Sequence, residues 1–373
     1  MSDQTNNPSS ILDKVMESKE ETERQAFNPQ ELISILLKKL TSKEADVLKR
    51  RFGLNDHQKQ TLEAIGNHYN VTRERIRQIE NSSIQKIISS KDFSSIVKGA
   101  EHVLSTILNQ YGGICEQKFL MKEVFPTGFS DSNERAIIFI ISQLLSDRFE
   151  KLTSSTKYRT SWKFKVTQLD FLDQVIEKIT EILGKEEKPL DLNKVFNLFS
   201  NTDFYNNNQE RIDDKILESF LEVSAKISSN PFSEYGLSHW GSVVPKRMND
   251  KIYLILKKHG KPMHFVDIAG KITQIFNKKA YPPTVHNELI LNKEYVLVGR
   301  GIYALVEWGY KKGVVADVIE DILQKSEEPL NRVQIVEKVL EQRLVKKNTI
   351  HLALTNKDKF KKSDSGKYSL VEK

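Results

Sequence analysis

The sequence predicts a mostly α-helical chain: an N-terminal helix-turn-helix followed by tandem winged-helix-like modules, each α-helical with a small β-wing. Three observations predict it. Two short apolar-striped stretches meet at Asn70 within the first hundred residues. A Pro-apolar start followed by an aromatic ending recurs through the remainder of the chain. The clearest such ending, YVLVGRGIYALVEW (295–308), places Gly299-Arg300-Gly301 between two apolar strands, as a hairpin does.

The bulk numbers fit that class. With 373 residues the chain has room for several cores. Its 38% hydrophobic and 29% charged residues are ordinary for a soluble protein. No apolar run approaches the ~20 residues a membrane helix needs. The start, MSDQTNNPSS, lacks the basic and apolar regions of a signal peptide, so a cytoplasmic location is expected, with no membrane contact. One cysteine, Cys115, excludes an intramolecular disulfide and a multi-cysteine zinc site.

Charge is unevenly spread. Residues 1–27 hold 3 basic and 6 acidic side chains, and residues 28–98 hold 13 and 8. Residues 99–244 hold 16 and 21, residues 245–313 hold 13 and 5, and residues 314–373 hold 12 and 10. Two basic islands flank an acidic middle, a pattern suited to a polyanionic partner, because each phosphate neutralised releases condensed counterions. Charge and repeat together set the expected organisation: a polar, flexible segment over 1–27, the helix-turn-helix over 28–98, then modules over 99–166, 167–244, 245–313 and 314–373.

In the first island, Asn28-Pro29-Gln30-Glu31 is a helix start, with an N-cap Asn and Pro at the first helical position. Thr41-Ser42-Lys43-Glu44 is a capping box opening a second helix, which Gly53 can end. A shorter helix fits Leu62 to Tyr69, with Leu62, Ile65 and Gly66 inward, and Asn70 can take the left-handed conformation of a tight turn. Thr72 then caps the next helix. There Ile76, Ile79, Ser83 and Ile87 form the inner stripe, while Arg73, Glu74, Arg77 and Gln78 share a separate arc. Arginine can donate bidentately to guanine, glutamine can pair with adenine, and glutamate can accept from cytosine. The same residues also suit a plain salt-bridged face, with Glu74 and Arg77 at i,i+3.

The run LTSKEADVLKRRFGLNDHQKQTLEAIGNHYNVTRERIRQIENSSIQKI, Leu40 to Ile87, resembles region 4 of the bacterial primary sigma factors. The shared features are LT-x-x-E, the R-F-G-L helix end, T-L-E-x-I-G and V-T-R-E-R-I-R-Q-I-E. The resemblance implies double-stranded DNA as partner, through recognition of a promoter's upstream hexamer in the major groove. Arg73, Glu74, Arg77 and Gln78 become candidate base contacts, and Thr72 and Arg75 candidate phosphate contacts. It also implies docking on the β-subunit flap of RNA polymerase. Two departures stand out. The helix runs on into NSSIQKIISS where family members carry a basic run. The segment also lies near the chain start, with no room before it for the aromatic-rich promoter-melting segment, so a complete initiation factor is not expected.

Beyond residue 100 the chain reads as a repeat. KPLDLNKV (188–195), KPMHFVDI (261–268) and EPLNRVQI (328–335) each follow an expected helix, at Leu172–Leu183, Lys251–Lys258 and Val315–Gln324. Each precedes an aromatic ending: EYGLSHW, GIYALVEW and GKYSLVEK. Pro189 to Tyr235, Pro262 to Tyr303 and Pro329 to Tyr368 span 46, 41 and 39 residues. A helix from Val103, then Gly-Gly-Ile, then KYRTSWKF suggests an earlier copy. Helix, Pro-started helix, third helix and hairpin is the order of a winged helix.

The copy over 245–313 resembles the HARE-type helix-turn-helix module through GKPMHFVDIA, TVHNELI and YVLVGRGIYALVEW. That family includes proposed DNA binders, polymerase-binding modules and restriction-associated proteins. On the resemblance and the basic island, Lys278, Lys279 and Arg300 are candidate phosphate contacts. Thr284 opens the expected recognition helix, and Asn287, with His286, can face a groove. No Gly-rich phosphate loop is present, the eight histidines are scattered, and no nucleophile–base set suggests itself, so neither enzyme activity, nor a cofactor, nor a metal is expected. The expected function is sequence-specific DNA reading in transcription. The rivals are an accessory polymerase subunit without base readout and a DNA-targeting adaptor of a restriction-type system.

Overall fold

The structure, a computed structural model, describes residues 22, 24, 26–310, 313–326, 328–343, 345–363 and 365–371. The polar segment expected over 1–27 lies outside them except for residues 22, 24, 26 and 27. The described chain is mostly helical with small antiparallel sheets, and forms two compact units. One comprises residues up to Ser228 with Tyr235–Ser238; the other comprises Ser229–Glu234 and the chain from His239. Among the described residues no helix is long and apolar enough to cross a membrane.

Five helices run from Pro29 to Gln110 in the first unit. Asn28 caps α1 (Pro29–Leu37), its side chain accepting from the amides of Gln30 and Glu31 at 3.1 and 3.2 Å. Thr41 and Glu44 close the capping box of α2 (Ser42–Phe52), and Gly53 ends it at φ 67°. Then come α3 (Leu62–Tyr69), α4 (Arg73–Ile88) and α5 (Phe93–Gln110). Helix α5 runs across position 98, so the step in charge there is not a break in the backbone.

The repeat is visible element by element. After α5 come β1 (Ile114–Glu116), α6 (Gln117–Val124), α7 (Asp131–Phe139), β2 (Phe149–Leu152) and β3 (Ser161–Phe164). The second copy has α8 (Asp170–Glu186), β4 (Leu190–Asp191), α9 (Leu192–Ser200), α10 (Asp214–Val223), β5 (Ile227–Ser229) and β6 (Glu234–Leu237). In the second unit the third copy has α11 (Met248–His259), β7 (Met263–His264), α12 (Phe265–Phe276), α13 (Pro282–Leu291), β8 (Tyr295–Gly299) and β9 (Ile302–Leu305). The fourth has α14 (Val315–Gln324), α15 (Arg332–Gln342), α16 (Lys347–Ala353), β10 (Phe360–Lys362) and β11 (Tyr368–Leu370). The three-stranded sheets have the orders β1-β3-β2, β4-β6-β5 and β7-β9-β8, and in the fourth copy Leu330 bridges to Tyr368.

That first short strand corrects the expectation of a Pro-started helix. The residue after Pro262, Met263, pairs with Tyr303, and the residue after Pro329, Leu330, pairs with Tyr368. Cys115 pairs with Trp162 in the first copy. The proline therefore stands before a strand, and the helix begins three residues after it, behind its own cap: Asp191, His264 or Asn331. The Pro-to-Tyr spacing marks a strand pair, which two residues are too few to announce by periodicity.

In the first unit the third helices are spent on internal docking. Helix α7 lies on α1: Gln30 Nε2 donates to Ser132 O at 2.6 Å, and Arg135 Nε donates to Gly53 O at 2.8 Å. Leu36, Leu48, Leu54, Ile84 and Ile87 share one core with Leu104, Ala136, Ile137, Phe139 and Trp162. Each of the buried leucines, isoleucines and the phenylalanine contributes roughly 1.5–3 kcal/mol, so the helix-turn-helix and the first winged copy hold their interiors jointly. Helix α10 in turn lies on β1, where Ser219 Oγ donates to Ile114 O at 2.5 Å. Arg159 fastens the same junction, its amide donating to Val223 O at 2.7 Å and its Nη1 to Glu222 O at 2.6 Å.

Among the described residues the second unit has apolar cores around Ile255, Ile272, Val285 and Tyr303 and around Ile319, Ile335, Ile350 and Phe360, and a small one of Val296, Val298 and Ala304. The buried Arg343 links the two copies by donating to the carbonyls of Leu297 and Gly313.

Candidate nucleic-acid interface

Helices α3 and α4 meet in a turn that two residues make possible. Asn70 adopts φ 53°, ψ 44°, the left-handed region that asparagine tolerates. Gly66 lies so close to the turn that a Cβ there would stand 2.7 Å from Val71 O, while Val71 N donates to Gly66 O at 2.9 Å. Inside the angle, Val47, Ile65 and Ile76 are fully buried, with Leu62, Tyr69, Val71 and Ile79 packed around them. The inner stripe of α4 is Ile76, Ser83, Ile84 and Ile87, with Ile79 only partly covered.

The opposite face is free. Thr72, Arg73, Glu74, Arg75, Arg77 and Gln78 are all exposed. Thr72 Oγ1 caps the helix by accepting from Arg75 N at 3.2 Å, which leaves its hydroxyl proton available to a phosphate. Arg77 Nε and Nη2 grip Glu74 at 2.9 and 2.7 Å, and Arg75 Nη1 donates to Gln78 Oε1 at 3.2 Å. The hydrogen bond from Arg77 holds the Glu74 carboxyl below its ordinary pKa. The salt-bridged face and the candidate reading surface are thus the same surface. Both pairs are exposed, so exchanging them for base edges costs little.

Residue types alone missed two parts of this region. Asn81, Ser82 and Gln85 continue the exposed arc of Gln78 at helical spacing. Behind the helices, Asp46 accepts from the Tyr69 hydroxyl and from Arg50 Nε at 2.6 Å, with His57 Nε2 3.8 Å away. Burial opposes ionisation of Asp46, but the bonds from Tyr69 and Arg50 outweigh it and its pKa falls. The Asp46/Arg50 pair was legible as i,i+4; Tyr69 and His57 arrive only through the fold. Glu44 is likewise held below its ordinary pKa, by Lys86 of α4 and the Thr41 amide.

The candidates of the third copy lie in the second unit. Lys278 and Lys279 are exposed ahead of α13, with Lys279 4.9 Å from the centre of the Tyr281 ring. Helix α13 starts at Pro282, not Thr284, because Pro282 and Pro283 fill the first positions, where no amide donor is needed. Thr284 and Asn287 are exposed one turn apart. His286 is half-buried, its ring 4.5 Å from Phe265 and 5.8 Å from Tyr303. Arg300 is exposed at the wing turn beside Gly301 at φ 69°, where a Cβ would come 2.6 Å from His264 Nε2. Among the described residues no group of three or more His, Cys, Asp or Glu is placed to hold a metal ion.

Residues 36–87 match the family described as Sigma-70, region 4. The segment is 52% identical over 52 residues to RNA polymerase sigma factor SigA of Clostridium acetobutylicum, covering 14% of either chain. It is 52% identical over 52 residues to SigA of Nostoc sp., covering 14% of this chain and 13% of that one. With SigA4 of Synechococcus elongatus it shares 51% identity over 57 residues, covering 15% of this chain and 18% of that one. The chain thus spans less than a fifth of the length of these relatives, and the likeness is confined to the helix-turn-helix.

Proposed function

We propose that this protein is a sequence-specific DNA-binding transcription factor that reads a promoter-like element through α4 and acts together with RNA polymerase. One observation carries the reading. The outer face of α4 presents Arg73, Glu74, Arg77 and Gln78 on a region 4 helix-turn-helix whose inner face is packed against its own chain. Thr72 and Arg75 then serve the phosphates, and Lys278, Lys279, Thr284, Asn287 and Arg300 of the HARE-like third copy add a second contact. The β-flap contact of the polymerase belongs to the same reading.

Replacing Arg73 and Arg77 by alanine costs about 1–3 kcal/mol per lost bidentate contact and relaxes base preference at the matching positions. Selection of bound fragments from random duplexes measures both, and unchanged preference in the double variant defeats the proposal.

A second reading, an accessory polymerase subunit without base readout, has one observation in its favour. Tyr281, Ile290 and Leu291 are exposed on and beside α13, with Leu291 80% accessible, and apolar side chains suit a protein partner better than phosphates. Association with core polymerase coupled with indifference to duplex sequence decides for it. The adaptor of a restriction-type system is the third reading, and it predicts co-purification with a nuclease or methyltransferase.

A further inference from the structure

The fourth copy looks almost neutral, but its charge is divided. Residues 314–344 carry four basic and seven acidic side chains, whereas residues 345–373 carry eight and three. In the structure most lysines of that second half are exposed. Lys346 and Lys347 lie at the start of α16, Lys357 in the turn beyond it, Lys361 and Lys362 on β10, and Lys367 just before β11; all six are exposed. Among the described residues, Lys359 is the lysine of this half held in ion pairs, to Asp317 at 2.9 Å and to Glu320 at 2.7 Å.

A comparison along the repeat gives this patch its meaning. Helix α7 carries Asp131 and Glu134 in its first turn and is docked on α1. Helix α10 is capped by Asp213, begins with Asp214 and is docked on β1. In the fourth copy the corresponding stretch has Lys346, Lys347, Asn348 and Thr349 exposed together. The acids at the starts of α7 and α10, Asp131, Asp213 and Asp214, are exposed as well, so α16 differs in the sign of the charge that it presents to solvent.

We propose that the lysines of α16 and its wing form a further contact surface for the phosphate backbone of duplex DNA, independent of base sequence. The proposal rests on the DNA-binding reading above. Lysine suits the role because its ammonium is a compact point charge on a flexible stem, with no planar fork to read a base edge. Each ammonium seated near a phosphate displaces condensed counterions, so the patch contributes affinity and salt dependence without preference.

The full chain with Lys346→Ala, Lys347→Ala, Lys361→Ala and Lys362→Ala is titrated with labelled duplex over a series of salt concentrations, beside the unsubstituted chain and Arg73→Ala/Arg77→Ala. The slope of log K against log salt becomes shallower by about 0.9 per lost contact, roughly 3 to 4 for the set. The affinity loss is equal on every duplex tested. A slope matching the unsubstituted chain overturns this inference and leaves the α4 reading intact, because the arginine variant tests that reading separately through base preference. Absence of DNA binding by the unsubstituted chain overturns both. Amine acetylation of the unsubstituted chain gives a check without substitution: bound duplex protects Lys346, Lys347, Lys361 and Lys362. Equal acetylation with and without duplex, the outcome for a patch serving an acidic protein, overturns the proposal.

Discussion

Replacing Phe139 with alanine loosens a helix-turn-helix that lies some fifty residues earlier in the chain. The ring is 1% exposed and packs against Phe52 with centroids 4.8 Å apart, inside the core that also holds Leu48, Leu54, Ile84 and Ile87. Truncating a buried phenylalanine costs about 3–5 kcal/mol, from lost transfer energy and the cavity left behind. A domain's whole stability is about 5–15 kcal/mol, so the loss is a large share of it. Amide hydrogen exchange followed residue by residue is the assay. The expected result is faster exchange at Leu36, Ile84 and Ile87 together with residues 97–149, each losing protection by a similar free energy. Loosening confined to residues 97–149, with α4 as protected as before, would refute the shared core and make the helix-turn-helix an independent bead.

Three further outcomes follow from the geometry. Gly66→Ala sets a methyl 2.7 Å from Val71 O, and relieving such overlap costs about 1–3 kcal/mol; its melting temperature falls and duplex affinity falls with it, whereas Gly99→Ala, inside α5 and meeting nothing within 4 Å, gains about 0.5–1 kcal/mol of helix stability and leaves affinity unchanged. Glu44 and Asp46 are both held below their ordinary pKa, so the stability they contribute is present at neutral pH and lost as pH falls through their depressed values. Thermal melting against pH shows that loss, and Glu44→Gln with Asp46→Asn flattens it. Thr41→Ala removes the α2 cap and costs about 1 kcal/mol, read from the shift in a denaturant midpoint.

Much of this molecule was legible where side chains act on their near neighbours. The caps at Asn28, Thr41 and Thr72, the left-handed Asn70 and the inner stripe of α4 all rest on contacts within a few residues. The wing at 295–305 was readable because two apolar strands flank a glycine turn. The strands of two or three residues were not, since nothing periodic fits in Met263–His264; their pairing shows only as the distance from proline to tyrosine. Charge flagged the acidic middle, but not that α7 and α10 are covered by the preceding elements, because docking depends on residues such as Gln30, Gly53 and Ile114 far away in sequence. On α4 the spacing of Glu74 and Arg77 left a salt-bridged face and a reading surface as alternatives; the structure shows the salt bridge, formed on the exposed side of the helix.

The docking of α7 on α1 and of α10 on β1, with the shared core, ties α4 to the rest of the first unit. A head seated in a major groove would therefore impose the groove's orientation on everything up to Ser228. Duplex DNA turns once in roughly 10–10.5 base pairs, so sliding a target by half that distance points the unit's far end to the opposite side of the duplex. Any partner gripping that end would sense the position of the target as a compass bearing, and its engagement should rise and fall with helical phase.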